Sequence, residues 1–285
     1  MKVLAEYESY LSRAPLSAHT RRNYLLRVKQ YFEWLESTPE VAGALSNTVE
    51  RDFAVRDYKC FLLRSGSSAN TVNAVLVAID NFYLFNGLGP AKVRRQDLPK
   101  LSPRALDFEE QRRFLKAVEQ SKLLRNRVIA MLMLHCGLRI SEVCQLNVSD
   151  VLLTARKREV IVRCGKNNKR RIIPINRDAG DVLQEYLGGR LVIDPESPLF
   201  KSKKGSRLSP QAIDHLIRQF GSDSGVQLSS HILRHSCLTR LIRAGVDIVT
   251  VAEVAGHSRV ETTRRYSLPS QEVMIEAMEK LNYSR

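Results

Sequence analysis

Cationic and ionisable side chains are grouped in three short segments of the second half of the chain. The segments are CGLRISEV at 136–143, HILRH at 231–235, and a Gly-His pair at 256–257 that is followed by TTRRY at 262–266. Guanidiniums bind phosphate oxygens, imidazoles transfer protons, and a phenol can attack once its proton is removed. This combination of residue types predicts chemistry at a phosphate ester.

Each of these residues has a simpler explanation when it is taken alone. Tyr266 could be a surface phosphate contact or a half-buried aromatic, and Lys166 could be an ordinary solvated lysine in a turn. His231 and His235 have the i, i+4 spacing of a zinc-binding helix, but no glutamate follows the first histidine and no third ligand is placed. Arg139 could merely cap a helix C-terminus. Only the ordered set therefore favours catalysis.

In this order the segments resemble the signature of the tyrosine recombinase family of phage integrases and Xer-like enzymes. That signature is G-L-R-x-S-E, then H-x-x-R-H, then G-H, then T-x-x-Y, and Lys166 in the turn GKNNK matches the hairpin lysine of the family. The resemblance covers roughly residues 103–266, with every catalytic position filled. Ala255 stands where the family often has Leu, and GKNNK stands where G-K-G-x-K is common. Neither departure removes a reacting group.

The resemblance implies a role for each matched residue. A phosphodiester under attack gathers negative charge on its non-bridging oxygens, and guanidiniums bind those oxygens without losing their protons. Arg139 and Arg234 are expected to form this clamp, and Tyr266 is expected to be the nucleophile. A free phenol has a pKa of about 10, so Tyr266 needs a proton acceptor or a strongly cationic pocket. His231 is the candidate base.

The remaining matched residues are expected to handle protons or to support the clamp. Lys166 could protonate the leaving 5′ oxygen, and His257 could donate to a phosphate oxygen. Glu142 is expected to hold Arg139 through a salt bridge, and His235 is expected to be a structural hydrogen-bonding residue on the far side of its helix. The resemblance implies a 3′-phosphotyrosyl intermediate that conserves bond energy, so neither a metal nor a nucleotide cofactor is expected.

The first hundred residues predict a compact bundle of about four helices. Apolar residues recur at helical spacing over 24–35 and 72–83, and a further helix is predicted within 49–63. Trp34, the only tryptophan, is expected in the core. This predicts an all-α domain at 1–88, which fits the SAM-like core-binding domain of the family.

Glycines and prolines interspersed with cations predict a linker at 89–104. Asp107 and Glu110 then form a capping signal for a new helix, so the catalytic domain is expected at 105–285. Alternating apolar residues on both sides of the turn at 165–169 predict a β-hairpin. Helices are predicted at 178–187, 209–220, 230–244, 248–255 and 270–281. The expected fold is mainly α with a small β-hairpin sheet.

The formal net charge of +15 favours a polyanionic partner, and much of the excess lies in clusters at 156–171 and 201–207. Charge alone also fits a basic ribosome-associated protein or a merely soluble one. With the resemblance, double-stranded DNA is the expected partner. The candidate DNA-binding residues are Arg94, Arg95, Lys169, Arg170, Lys201, Lys203, Lys204 and Arg207.

Met274, Met278 and Leu281 form an apolar stripe near the end of the chain, which could pack on its own domain. The resemblance implies instead that the helix at 270–285 docks into a neighbouring subunit. A homotetramer of C-shaped clamps would then join two DNA sites and exchange strands through a Holliday junction. A chromosome-dimer or transposon cointegrate resolvase is the expected role.

Composition excludes several other classes of protein. Five scattered cysteines without a C-x-x-C pair argue against a disulfide framework and a zinc cage. No apolar run approaches the roughly 20 residues that span a bilayer, and an acid at position 6 argues against a secretory signal, so a cytosolic location is expected. Two alternatives stay open: a type IB topoisomerase that relaxes DNA, and a non-catalytic architectural DNA-binding protein.

Overall fold

The computed structural model describes residues 2–38, 43–98, 104–163, 170–189, 194–257, 261–264 and 278. Lys166, Lys169, Tyr266 and the predicted C-terminal helix, apart from Met278, lie outside the described residues. The chain divides into two compact units at residues 1–100 and 101–285. The prediction of a mainly α fold with a small antiparallel sheet is confirmed.

Four helices form the first unit. They are α1 (Lys2–Arg13), α2 (Ala18–Glu36), α3 (Thr48–Arg64) and α4 (Ala69–Phe85). The side chains of Ser17, Asn47 and Ser68 accept hydrogen bonds from backbone N–H groups in the first turns of α2, α3 and α4. These caps satisfy donors that have no partner inside a helix, so they fix where each helix begins.

Aromatic side chains dominate the core of the first unit. Tyr7, Tyr31, Phe82 and Tyr83 are fully buried, and the Tyr31 and Tyr83 hydroxyls form a 2.9 Å hydrogen bond. This bond satisfies two polar groups that would be costly to bury alone. Trp34 is only partly buried and packs against the edge of this core, where the sequence predicted a core residue.

The first part of the predicted linker is attached to the helices of the first unit. Asn73 exchanges two hydrogen bonds with the backbone of Gln96, at 2.9 and 2.8 Å. Lys59 Nζ donates to the carbonyl of Arg94 at 2.6 Å, and Asp80 accepts from the backbone N–H of Ala91 at 3.1 Å. Residues 91–96 therefore lie in a defined path along this unit.

The second unit contains eight of the described helices and three strands. The helices are α5 (Phe108–Glu119), α6 (Leu124–His135), α7 (Ile140–Gln145), α8 (Arg177–Gly188), α9 (Pro210–Ser224), α10 (Ser230–Arg243), α11 (Ile248–Ala255) and α12 (Glu261–Arg264). The predicted capping box is present, with Glu110 N donating to Asp107 Oδ1 at 2.8 Å. Helix α6 is the centre of the core, since every residue from 128 to 134 is buried.

The strands form an antiparallel sheet in the order β1 (Val151–Leu153), β2 (Arg158–Val162) and β3 (Arg171–Pro174). Val160 pairs with Ile173, and both side chains are buried, as the alternating pattern predicted. Strand β1 was not predicted, because three residues are too few to show a period. The last pair of this register joins Val162 to Arg171, so β2 and β3 flank the segment of sequence that contains Lys166.

Among the described cysteines, Cys136, Cys144 and Cys237 are buried, Cys60 is exposed, and all four are free thiols. Burial raises the pKa of Cys144 and that of Cys237, each to about 11. None of the described helices combines the length and apolar character needed to cross a membrane.

Candidate active site

A glycine turn between α6 and α7 positions the first motif. Gly137 has φ +60°, a left-handed conformation that residues with a Cβ rarely adopt. A Cβ at this position would also lie 3.3 Å from Sγ of Cys237. The turn therefore requires glycine, and it makes Arg139 the N-cap residue of α7.

Glu142, in the first turn of α7, folds back onto Arg139. Its Oε2 accepts from the backbone N–H of Arg139 at 2.8 Å, and its Oε1 accepts from Arg139 Nη1 at 2.8 Å. The Glu142 side chain is 3% exposed, whereas that of Arg139 is 24% exposed. The carboxylate thus fixes a guanidinium that still reaches solvent.

A second arginine binds the same carboxylate. Arg171, the first residue of β3, donates from Nη1 and Nη2 to the two oxygens of Glu142 at 3.0 and 2.8 Å. Burial alone would raise the pKa of Glu142, but the hydrogen bonds and charge of Arg171, and then those of Arg139, outweigh it. The pKa of Glu142 is held below its ordinary value, so the group is a carboxylate at neutral pH.

Arg234, on α10, is 4% exposed and connects two turns. Its Nη1 donates to the carbonyl of Gly137 at 2.6 Å, and its Nη2 donates to the carbonyl of Ala255. Arg139 Nη2 donates to the next carbonyl, that of Gly256, at 3.2 Å. Arg139 and Arg234 are therefore both anchored at the end of α11, on the carbonyls of successive residues.

The end of α11 presents His257 to this pair. Gly256 caps the helix with φ +61°, and the next residue, His257, lies with Nε2 3.2 Å from Arg234 Nη2. The other ring nitrogen, Nδ1, is 2.8 Å from Oγ1 of Thr263, a fully buried residue of α12. Contacts on both nitrogens define the orientation of the imidazole.

His231 and His235 lie on α10 with Arg234. Ser229 caps this helix by accepting from the backbone N–H of Ile232 at 3.3 Å. His231 is exposed, His235 is partly buried, and their ring centroids are 6.4 Å apart. His231 is three residues before Arg234, so both belong to the same side of α10.

The predicted residues Arg139, Glu142, Arg234 and His257 thus share one hydrogen-bonded network around the turns at Gly137 and Gly256. Such a network can hold two permanent cations beside an imidazole with little rearrangement, which suits an anionic ester. Chain comparisons agree with this chemistry. Models described as "Phage integrase family" and "Phage integrase, N-terminal SAM-like domain" match residues 104–272 and 4–86.

The chain belongs to the phage integrase family. The tyrosine recombinase XerA of Thermococcus kodakarensis is 31% identical over 284 residues, covering 98% of this chain and 95% of XerA. This member of the phage integrase family is therefore a site-specific DNA recombinase of the tyrosine type.

Solved structures of family members share its fold. A complex of XerH with its difH substrate before cleavage has a TM-score of 0.72 at 21% identity, covering 90% of this chain and 78% of XerH. The Tn1549 transposon integrase with circular intermediate DNA has a TM-score of 0.73 at 19% identity, covering 98% and 99%.

The structure adds two residues to the family motifs that the sequence predicted. Thr263 was noticed only as the first residue of T-x-x-Y, and Arg171 only as one member of a basic cluster. The sequence did contain a signal for Arg171. It lies two residues before the buried Ile173 in β3, so both side chains are on the interior face of the strand. The partner of Arg171 could not be predicted, since Glu142 is 29 residues away.

The predicted DNA-binding residues of this phage integrase family member occupy different environments. Arg94, Arg170, Lys201, Lys203 and Lys204 are exposed. Lys169 lies outside the described residues, as noted above.

Three of these candidates bind other groups of the protein. The exposed Arg94 pairs with Asp97 at 2.9 Å. Arg95 pairs with Asp80. Arg207 donates to the carbonyls of Cys144 and Leu146 at 2.8 and 3.0 Å and to Asn147 Oδ1 at 2.6 Å. These contacts give Arg207 a structural role at the end of α7.

The described residues contain no group of three or more His, Cys, Asp or Glu side chains that could hold a metal ion. The i, i+4 histidines of α10 therefore gain no third ligand within the described part of the chain. The side chains that can act on a phosphate here are guanidiniums and imidazoles.

Proposed function

We propose that the protein cleaves and rejoins DNA through a covalent bond between Tyr266 and a 3′ phosphate. The observation that carries the proposal is the pairing of Arg139 and Arg234 on the neighbouring carbonyls of Gly256 and Ala255, beside His257. A tyrosine nine residues after His257 can return to this cluster through the chain that follows α11.

The reaction has two steps, and each step replaces one phosphate ester bond with another. The phenol oxygen of Tyr266 attacks phosphorus and gives its proton to His231, while the bond from phosphorus to the 5′ oxygen breaks. Lys166 supplies the proton that the leaving 5′ oxygen takes up. Arg139 and Arg234 bind the non-bridging oxygens as negative charge gathers there, and His257 donates to one of them. A 5′ hydroxyl of another strand then displaces Tyr266 by the reverse route.

Double-stranded DNA is the proposed partner. The exposed lysines of the turn at 201–207 and the exposed Arg94 and Arg170 carry charge without a structural task comparable to that of Arg207. Phosphate contacts of this kind make binding fall steeply as salt rises. The solved XerH relative is a complex with its difH substrate, which supports DNA as the ligand for this fold.

The proposed biological role is the resolution of transposon cointegrates or of replicon dimers, in a protein of the TnpI type in the cytoplasm near the nucleoid or a plasmid. Four subunits would join two sites and exchange one pair of strands at a time through a Holliday junction. The apolar stripe at 270–285 would connect neighbouring subunits. Similarity to the tyrosine recombinase XerA supports site-specific recombination, and the Tn1549 transposon integrase shares the fold.

Capture of the covalent adduct tests this proposal. Fragmented DNA from the source organism is incubated with the protein, denatured, and the attached DNA is sequenced to obtain the site. The parent and a Tyr186→Phe variant should form adducts, because Tyr186 donates to the carbonyl of Leu199 at 2.9 Å and stacks on Phe200, whereas Tyr266→Phe should form none. Adducts with Tyr266→Phe equal to the parent would disprove the nucleophile, and no adduct with the parent would favour an architectural protein.

A supercoiled plasmid with two copies of the recovered site separates the remaining alternative. Deletion products or catenanes indicate recombination. Relaxed topoisomers alone would indicate a type IB topoisomerase and would contradict the proposed resolvase.

A further inference from the structure

Arg171 is the first residue of β3 and pairs with Val162 of β2. Its side chain is only 11% exposed, so it is not placed as a solvated DNA contact. Its three donor nitrogens all have acceptors inside the unit. Nη1 and Nη2 bind Glu142, and Nε donates to the carbonyl of Val254 at 3.0 Å.

Those acceptors belong to the two elements that hold the phosphate-binding arginines. Glu142 fixes Arg139, and Val254 precedes the carbonyls of Ala255 and Gly256 that Arg234 and Arg139 contact. The packing is close, since a Cβ built on Gly256 would lie 2.7 Å from Nη1 of Arg171. One guanidinium therefore joins the hairpin, the α7 turn and the α11 turn.

The charges of this cluster also matter. If Glu142 bound Arg139 alone, its negative charge would cancel the positive charge of Arg139. The proposed phosphate site would then lose that positive charge. With Arg171 on the same carboxylate the three side chains carry a net charge of +1. Because both oxygens of Glu142 also bind the fork of Arg171, the attraction of Glu142 for Arg139 is shared rather than exclusive.

We infer that Arg171 is a positioning residue for cleavage, which holds Glu142 so that Arg139 is oriented without being neutralised. It touches neither DNA nor the reacting atoms in this role and acts through Glu142. The inference rests on the proposed function, because it assigns Arg171 to the same phosphate site.

The test measures single-turnover adduct formation on a nicked duplex that carries the captured site. Arg171→Met should lower the cleavage rate by about 10- to 100-fold, as removal of a group that orients an active-site ligand does. Affinity for the duplex should stay within about threefold, since many phosphate contacts share the binding energy. Arg171→Lys should be intermediate, because one ammonium cannot bind both oxygens as a fork does.

The matched control is Arg104→Met. Arg104 also binds one carboxylate, that of Glu110, and one backbone carbonyl, that of Gln227. Its removal should leave the cleavage rate within about threefold of the parent, since surface ion pairs contribute little.

A double variant distinguishes charge and orientation from simple packing. Arg171→Met together with Glu142→Gln restores the net charge of +1 and leaves no buried carboxylate without its partner. We expect it to cleave about tenfold faster than Arg171→Met alone, although it lacks more native contacts. If thermal melting shows that Arg171→Met is unfolded, the cleavage rate of the double variant is compared with that of Arg171→Lys. The double variant should cleave at least as fast.

Two results would overturn the inference. One is cleavage within about threefold of the parent by both Arg171 variants. The other is a double variant that is slower than its folded single-variant reference. A parent protein that forms no adduct would instead remove the proposed function, and this inference with it.

Discussion

Arg234 and His257 contact each other through Nη2 and Nε2, 3.2 Å apart. A guanidinium only donates hydrogen bonds, so a neutral His257 accepts at Nε2 and carries its proton on Nδ1, and the proposed donation from Nε2 to a phosphate oxygen requires the protonated ring. That proton points to Oγ1 of Thr263 at 2.8 Å. The orientation of His257 therefore depends on one charged partner, Arg234, and one uncharged partner, Thr263. Thr263 can be substituted without changing the charge of the site.

Thr263→Val should impair cleavage while Thr263→Ser retains it. The valine removes the hydroxyl that binds Nδ1 at nearly constant volume, at a stability cost of about 1–2 kcal/mol. The imidazole is then free to rotate away from the phosphate. The measurement is the adduct-formation rate together with the melting temperature. Equal rates for Thr263→Val and the parent would show that the Thr263 contact does not orient His257 for catalysis.

Gly256→Ala should destabilise the protein more than Gly225→Ala. Both glycines end helices with left-handed φ, +61° and +64°, so each alanine introduces about 1 kcal/mol of backbone strain. Only at Gly256 does the new Cβ also meet Arg171, which adds about 2 kcal/mol. Urea unfolding of the two variants gives the difference directly. Equal free energies of unfolding would mean that Arg171 moves aside at no cost.

Arg207→Met and Lys203→Ala should separate structural from DNA-binding cations. Loss of Arg207 removes a donor from three acceptors at the end of α7, of which the carbonyl of Leu146 keeps the N–H of Leu199, so the free energy of unfolding should fall by about 2 kcal/mol. Loss of the exposed Lys203 should leave stability unchanged. Instead it should reduce the slope of log affinity against log salt by roughly 1.

The opposite pattern, with Lys203→Ala altering the melting temperature and Arg207→Met altering only the salt slope, would contradict this assignment. The Lys204→Ala variant serves as a repeat of the lysine result, since that side chain is exposed in the same turn.

His135, at the end of α6, predicts a pH-dependent part of the stability. Burial, and then the charge of Arg240, lowers the pKa of His135 below its ordinary value of 6.5. The unfolded chain therefore binds this proton more readily than the native protein does. The resulting stability is complete above pH 6.5 and is lost as the pH falls below it.

Urea unfolding at a series of pH values measures this effect. The free energy of unfolding should fall less steeply below neutral pH in His135→Gln than in the parent. Identical slopes in both proteins would show that His135 binds its proton equally well in the native and unfolded states.

The sequence predicted those features that depend on local patterns. The helices of the first unit, the capping box at Asp107 and the pairing of β2 with β3 follow from periodicity and cap chemistry. Motif order selected Arg139, Glu142, Arg234 and His257, which the structure joins in one hydrogen-bonded network. Periodicity does not show in which direction a long cationic side chain points. Arg171, Arg207 and Lys203 look alike in a basic sequence, yet two of them bind acceptors inside the unit.

Polar contacts between residues that are distant in the sequence could not be predicted either. The composition of residues 91–96 indicates a linker, because glycine and proline flank it. Its attachment depends on Asn73 and Lys59, which are helical residues with no pattern that marks them as partners. Contacts between distant polar residues leave no periodic signal in one sequence.

The distribution of the thiols has a practical consequence. Cys136 and Cys237 flank the turn at Gly137, but burial and a raised pKa keep both thiols protonated and inaccessible. Among the described cysteines, a maleimide dye offered to the folded protein will attach to the exposed Cys60 on α3. Cys60 is thus a native labelling site on the helical unit for fluorescence experiments that follow DNA binding. Its use requires no substitution in the candidate active site.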